Sequence, residues 1–303
     1  MALTRDSQAV PVPVVPHRPP ALHGRFFRGS AVVAAGLLTR RQLRSSAWQH
    51  VFRDVYACST VELTHSLLAV AAAGLLLPGA VVSGRSAATL WGLPAAGTGD
   101  PVELTVPAGA APCAVPGVRV RRRALSPVDV TLRRGTRVTT AVATAVDLGR
   151  ALPLDEAVAS IDHLVRAGLT DLAAIRAAAA LVTGRGCRRA RAAAARADGL
   201  AESPQETRLR LVLHASPLPR PVSQHTVRDA DGRFVARVDF GWPGHRLAVE
   251  YEGAWHGEPQ NVARDRARLN RLTAVGWRVV FVTAADLRHP DRLVARIAAA
   301  LGA

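Results

Sequence analysis

Apolar residues recur along the chain in two alternating modes, a helical spacing of three to four and a strand spacing of two, and the switches between them outline its elements. From Arg25 a short apolar helix is predicted over residues 31–35. Thr39 can then cap a second helix over residues 40–44, with Gln42 placed to close a capping box. Residues 48–58 alternate apolar and polar around Arg53-Asp54, the pattern of a hairpin. Helices follow at residues 62–74 and 85–91, strands at 102–106 and 118–123, and a helix at 141–149, so the front half reads as α+β. Residues 154–196 are helical in pattern and end in an arginine-rich run.

The last hundred residues change character. Ser203-Pro204-Gln205-Glu206 opens a helix to about residue 213, with Ser203 as N-cap, Pro204 in the first turn and Glu206 completing a capping box, which accounts for Glu206 without invoking chemistry. Over residues 233–241, Phe234, Ala236, Val238 and Phe240 share one strand face while Arg237 and Asp239 share the other. A turn at residues 242–245 leads into a strand with Leu247, Val249 and Tyr251 on one face and Ala248, Glu250 and Glu252 on the other. A turn centred on Pro243-Gly244 sets Asp239 opposite Ala248 and diagonal to Glu250; a small shift sets Asp239 and Glu250 face to face. In either register their Cβ atoms are roughly 5 to 8 Å apart. Two carboxylates so placed repel and call for a cation, which is a metal or an arginine such as Arg237 or Arg246. A helix beginning at Pro259 carries Val262, Leu269, Leu272 and Val275 on one face, Gly276 stops it, and residues 277–283 form a buried strand. On that helix Asp265 stands among Arg264, Arg266 and Arg268, either paired within the helix or aiming an arginine at a phosphate. His256, just past the acidic strand, has a pKa range suited to general acid or base work.

Charge sharpens this picture. All 39 basic residues are arginine, against 23 acids, for a net charge of +16. Such an excess attracts polyanions by releasing counterions, which makes nucleic acid the leading partner. Arg40, Arg41 and Arg44 on the second helix, with His50 and Arg53 on the hairpin, are placed either for groove and phosphate contact or as a solvated face. The same two readings hold for Arg185, Arg188, Arg189, Arg191 and Arg196. At 303 residues two domains are expected, preceded by a proline-dense tail over residues 1–24. The longest apolar run, from Leu67, is interrupted at Gly74, Pro78 and Gly79 and is too short for a membrane span. Cys58, Cys113 and Cys187 are widely separated, which argues against zinc and for a reducing cytoplasm.

The segments LTRRQLRSSAWQHVFRDVYA, VVSGRSAATLWGL and VELTVP, within residues 25–165, resemble the AbiEi-type antitoxin and regulator architecture. The resemblance implies a winged helix-turn-helix over residues 25–60, an α+β region over 61–153, double-stranded DNA as partner, and a cognate toxin as a further one. The segments VDF, VEYEGAWH and NVARDRARLNRLTAVGWRVVFVT are similar to the very-short-patch-repair-like (Vsr-like) endonuclease domains of the PD-(D/E)xK superfamily, and the similarity covers about residues 200–303. It implies an α/β restriction-endonuclease-like domain over residues 201–303, a central mixed sheet flanked by helices, with residues 154–200 as a helical connector. It also implies Mg²⁺ or Mn²⁺ held by Asp239, Glu250 and the Tyr251 carbonyl, with Glu206 in support and His256 near the attacking or leaving oxygen. Where the family usually has lysine this chain has Glu252. There is no lysine to substitute, and arginine does not give up a proton. Glu252, bulk water or His256 is therefore left as the base for the attacking water. The expected function is a DNA-binding front half with a metal-dependent, cleaving or nicking C-terminal domain, using Arg40, Arg41, Arg44, Arg53, Arg188, Arg189, Arg264 and Arg268 on DNA. The alternative is a non-catalytic winged-helix regulator that keeps the nuclease fold for DNA binding.

Overall fold

The computed structural model describes residues 16–111, 114–253 and 259–302. The chain divides into two units, Met1–Ser86 with Ala95–Ser126 and Val130–Val138, and Ala87–Pro94 with Pro127–Asp129 and Thr139–Ala303. Mixed α and β structure runs through both, with three sheets and eleven α-helices among the described residues.

In the first unit β1 (Phe26–Arg28) leads into α1 (Gly29–Ala34), and β2 (Trp48–Phe52) and β3 (Val55–Cys58) form the expected hairpin. The sheet order is β1-β3-β2. Asp54 turns the hairpin at φ 59° and its carboxylate accepts from the Ser30 amide at 2.7 Å, which ties the hairpin tip to the first turn of α1. Phe27, Val32, Leu38, Leu43 and Trp48 make the core beneath. The helix expected over residues 40–44 is instead a single 3-10 turn, Gln42–Arg44. Thr39 and Gln42 do exchange capping bonds, at 2.7 and 3.2 Å. The cap has no helix to start because Ser45 is already extended, at ψ 163°, and the chain turns into β2.

Further along this unit, α2 (His65–Ala71) is capped by Thr64 and runs into a π-type turn at Ala72–Leu76. A five-stranded sheet has the order β6-β5-β4-β8-β7, formed by β4 (Val81–Val82), β5 (Val102–Val106), β6 (Val118–Arg122), β7 (Val130–Arg133) and β8 (Thr136–Thr139), with α3 (Gly84–Leu90) after β4. Glu103, buried in β5, accepts from Arg119 at 3.0 Å and Arg121 at 3.2 Å on the neighbouring strand, an opposite-charge cross-strand pairing that settles β5 against β6.

The second unit begins with four helices, α4 (Ala141–Ala151), α5 (Leu154–Arg166), α6 (Leu172–Leu181) and α7 (Cys187–Arg196). Gly149 lets α4 approach α7 closely: a Cβ there would stand 2.9 Å from the Ala190 Cα. Then come α8 (Pro204–Ala215), β9 (Val222–Arg228), β10 (Phe234–Trp242), β11 (Leu247–Tyr251), α9 (Pro259–Ala274), β12 (Arg278–Val282), α10 (Ala284–Leu287) and α11 (Pro290–Leu301). The strand order is β12-β11-β10-β9, with β11 and β12 parallel and the other pairs antiparallel. Leu209 and Leu213 of α8 and Leu293 and Ile297 of α11 pack with Phe240, Trp242, Leu247 and Val249. Leu272 of α9 packs with Val238, Ala248 and Trp277 in a second cluster. The alternation Leu247, Ala248, Val249 thus feeds two cores from one strand, as expected of a mixed sheet with helices packed against it. Among the described residues no helix is long and apolar enough to cross a membrane.

Candidate acidic site

Strands β10 and β11 pair Phe240 with Val249, Gly241 with Ala248 and Trp242 with Leu247. Continued by one residue, this register sets Asp239 across from Glu250. The register centred on Pro243-Gly244 is not adopted: Pro243–His245 forms a 3-10 turn and Arg246, at φ 47°, enters the left-handed region, so the connection takes two residues more.

Each acid has its own surroundings. One oxygen of Asp239 accepts from the Tyr251 amide at 2.8 Å. Burial nevertheless pushes the Asp239 carboxyl up to about 7, against that bond, and Glu206, Glu250 and Glu202 add to the rise by repulsion. Arg237, one of the arginines expected beside Asp239, donates instead to Glu202 at 2.6 Å. Among the described residues Asp239 forms no ion pair. Glu250, 6% exposed, is gripped through both oxygens by Arg268 of α9, with Nη2 at 2.7 Å from Oε2. That bond holds the Arg268 guanidinium above its usual range, with burial opposing. Glu206, 8% exposed, accepts from the Glu202 amide at 2.8 Å, the Ser203 hydroxyl at 2.9 Å and the Gln224 side-chain amide at 3.1 Å.

Gln224 was not singled out from the sequence. It lies in β9, where Ser223 pairs with Phe240 and His225 with Val238, so it stands opposite Asp239 in the register. Its φ of 50° is an unusual conformation for a residue other than glycine. That backbone and its bond to Glu206 place it between two of the acids.

Past β11, Glu252 is exposed and its amide donates to the Val282 carbonyl at 2.7 Å. It lines a 190 Å³ cavity with Glu250, Tyr251, Asp265, Arg268, Leu269 and Phe281. Asp265 faces Arg268 at 3.7 Å within α9, the intrahelical pairing. His256 lies outside the described residues.

Among the described residues no group of three or more histidine, cysteine or acidic side chains is gathered as a finished metal cage. The donor chemistry still suits a hard cation: Asp239 is a half-buried carboxyl repelled by three neighbouring acids and compensated by no ion pair among the described residues. Glu250 fits the same cation only when Arg268 turns away from it.

Two uncharacterized proteins of Mycobacterium tuberculosis, Rv2248 of strain ATCC 25618 / H37Rv and MT2308 of strain CDC 1551 / Oshkosh, are each 35% identical to the chain over 274 residues, covering 86% of it and 96% of their own length. The chain belongs to their family. No protein-family model and no solved structure matches it.

In this family member the arginines expected on DNA divide into two kinds. Arg40, Arg41, Arg44, Arg53, Arg188 and Arg264 are exposed. Arg189 is committed to the carbonyls of Ala151 and Leu152 at the end of α4, and Arg268 to Glu250. Other arginines, in the helical run and on α4, are also internal fasteners. Arg191 donates to the Ala179 and Val182 carbonyls at 3.2 and 2.8 Å, and Arg150 to the Arg185 carbonyl at 3.1 Å. The sequence signal for this was available in the helix ends themselves, where unpaired carbonyls favour cationic donors.

Proposed function

We propose that the second unit cleaves or nicks double-stranded DNA with the help of Mg²⁺ or Mn²⁺, as a Vsr-like domain of the PD-(D/E)xK kind, and that a winged helix-turn-helix in residues 25–60 contributes DNA binding. The observation that carries this reading is Asp239, a half-buried carboxyl opposite Glu250 with no ion pair of its own among the described residues, in a chain of net charge +16.

Asp239, Glu250 and the Tyr251 carbonyl would hold the cation, which when bound supplies positive charge against the developing charge of a phosphodiester. The Tyr251 amide orients the Asp239 carboxylate. Glu206, fixed by Ser203 and Gln224, adds negative field on the same side. Arg268, released from Glu250, has a planar fork suited to two oxygens of a phosphate. Glu252, exposed past β11, would accept the proton of the attacking water, with bulk water and His256 as the other candidates.

Cleavage of supercoiled plasmid with Mg²⁺ or Mn²⁺ tests the proposal, comparing the wild type with Asp239→Ala and Glu250→Ala at matched DNA occupancy. Metal-dependent nicking abolished in both variants is expected. The Arg268 clamp on Glu250 favours a second reading, a non-catalytic regulator of AbiEi type that uses the nuclease fold only to bind DNA. Tight binding without cleavage under either metal would put that reading first.

A further inference from the structure

A second polar centre lies on the same helix as Glu206 but has the opposite sign. Arg176, Arg196, Arg210 and Arg220 line a 510 Å³ pocket together with His214 and a single carboxylate, Asp198. Arg210 is 2% exposed; Nη1 reaches the Arg196 carbonyl at 2.8 Å and Asp198 at 3.0 Å, Nη2 reaches Asp162 at 2.6 Å, and Nε is buried with no hydrogen-bond partner. Arg176 spends Nε and Nη2 on the Ala194 and Ala197 carbonyls. Arg220 is exposed and makes no hydrogen bond or ion pair among the described residues. His214 is held below its usual range by burial and by Arg220 and Arg210, with Asp198 opposing. Four guanidinium groups thus meet two carboxylates, Asp198 in the pocket wall and the buried Asp162 behind Arg210, an excess of positive charge that favours an added anion.

We infer that this pocket binds a phosphate ester, with the exposed Arg220 and Arg196 as its reaching forks, Arg196 giving up the bond of its Nη1 to the Ala192 carbonyl at 3.1 Å, and Arg210 as its fixed floor. Guanidinium forks match phosphate oxygens in pairs, and a buried fixed arginine gives the site a defined base. The occupant with most support is a backbone phosphate of DNA, a point that rests on the function proposed above. Glu206, Arg210 and His214 recur every fourth residue on α8, so one helix stripe joins the acidic site to the pocket. The Cα atoms at its ends are about 12 Å apart at 1.5 Å per residue. One DNA strand carries a phosphate about every 3.4 Å along the axis, so the two sites are spaced for phosphates three to four steps apart.

The test uses the full chain in EDTA, where cleavage is silent and failure of the nuclease reading has no bearing. Binding of a fluorescein-labelled duplex by anisotropy and of deoxyadenosine monophosphate by calorimetry is measured for the wild type, Arg196→Ala/Arg220→Ala and the control Arg233→Ala. Arg233 is exposed, pairs only locally with Asp231 and lies outside the pocket. The double variant is expected to bind duplex about tenfold more weakly and to lower the slope of log affinity against log salt by about 0.9 per lost contact, with the control changed by less. Loss of mononucleotide binding with duplex binding at the control level would keep the phosphate site and replace the backbone by a free phosphate ester. Both ligands bound as by the control would overturn the inference. Circular dichroism melting checks that the double variant folds.

Discussion

Arg268, 18 residues further along the chain on α9, closes over both carboxylate oxygens of Glu250. The site therefore already contains a cation of one of the two kinds that the acidic pair calls for, an arginine, and it sits on the more buried acid. A divalent metal at Asp239 and Glu250 has to compete with this guanidinium.

Arg268→Ala is expected to destabilise the metal-free protein by about 3 kcal/mol, because it strands a buried carboxylate. Mg²⁺ should restore more stability to this variant than to the wild type, since Glu250 is then free to ligate. Thermal melts with EDTA and with Mg²⁺ measure both effects. An equal Mg²⁺ shift in the two proteins would show that the arginine and the metal do not compete.

Asp239 makes the metal-free protein pH-sensitive. Its folded pKa of about 7 is above the usual carboxyl value, so the fold favours the protonated form. That contribution is fully present below the unfolded pKa and is lost as pH rises through about 7. In EDTA, Asp239→Asn should therefore be more stable than the wild type at pH 8 by roughly 2 kcal/mol, with the gap closing toward pH 5. Denaturant midpoints across that range give the answer. A gap that widened on acidification would reverse the assignment.

At Gln224 two effects can be separated. Gln224→Ala removes the bond to Glu206 but keeps the left-handed backbone, and should cost about 1 to 2 kcal/mol. Gln224→Gly loses the same bond while relieving the backbone, and should recover about 1 kcal/mol of that. Urea denaturation of the two variants orders them, and a glycine variant less stable than the alanine one would mean that φ 50° carries no strain.

Asp162, 1% exposed, accepts from the Asp198 and Gly199 amides, from Thr207 and from Arg210. It fastens α5 to the start of α8, next to Glu206. Asp162→Ala should cost about 3 to 5 kcal/mol, and Asp162→Ala/Arg210→Met less than the two single changes summed, because the pair falls together. Additive costs in a double-mutant cycle would deny the coupling.

The acids on one hairpin face, the Ser203 cap and the helix from Pro259 were legible because each depends on a local period or a local cap. Gln224 was not. Its strand, VSQHTVR, buries only Val227 fully and shows no apolar alternation, so nothing local marks it as the partner of β10. Strands β7 and β8 escaped for a related reason, since Arg133, Arg134 and Gly135 at their junction read as loop. The Arg268 clamp was hidden differently. From the sequence its nearest acid is Asp265, and only the return of the chain through α9 to β12, parallel beside β11, carries it over Glu250. At residues 40–44 a correct capping pattern was read with too long a helix, because a cap marks where a helix starts and says nothing of how far it runs.

The arginines that end on helix carbonyls, Arg150, Arg176, Arg189 and Arg191, have lost donors but not charge. For an approaching polyanion the distinction is one of time. Long-range attraction depends on charge alone and sets how often partners meet, whereas residence depends on donors free to bond on arrival. Fastening arginines should therefore speed capture without prolonging it, and the dwell time falls to exposed ones such as Arg40, Arg41, Arg44 and Arg53.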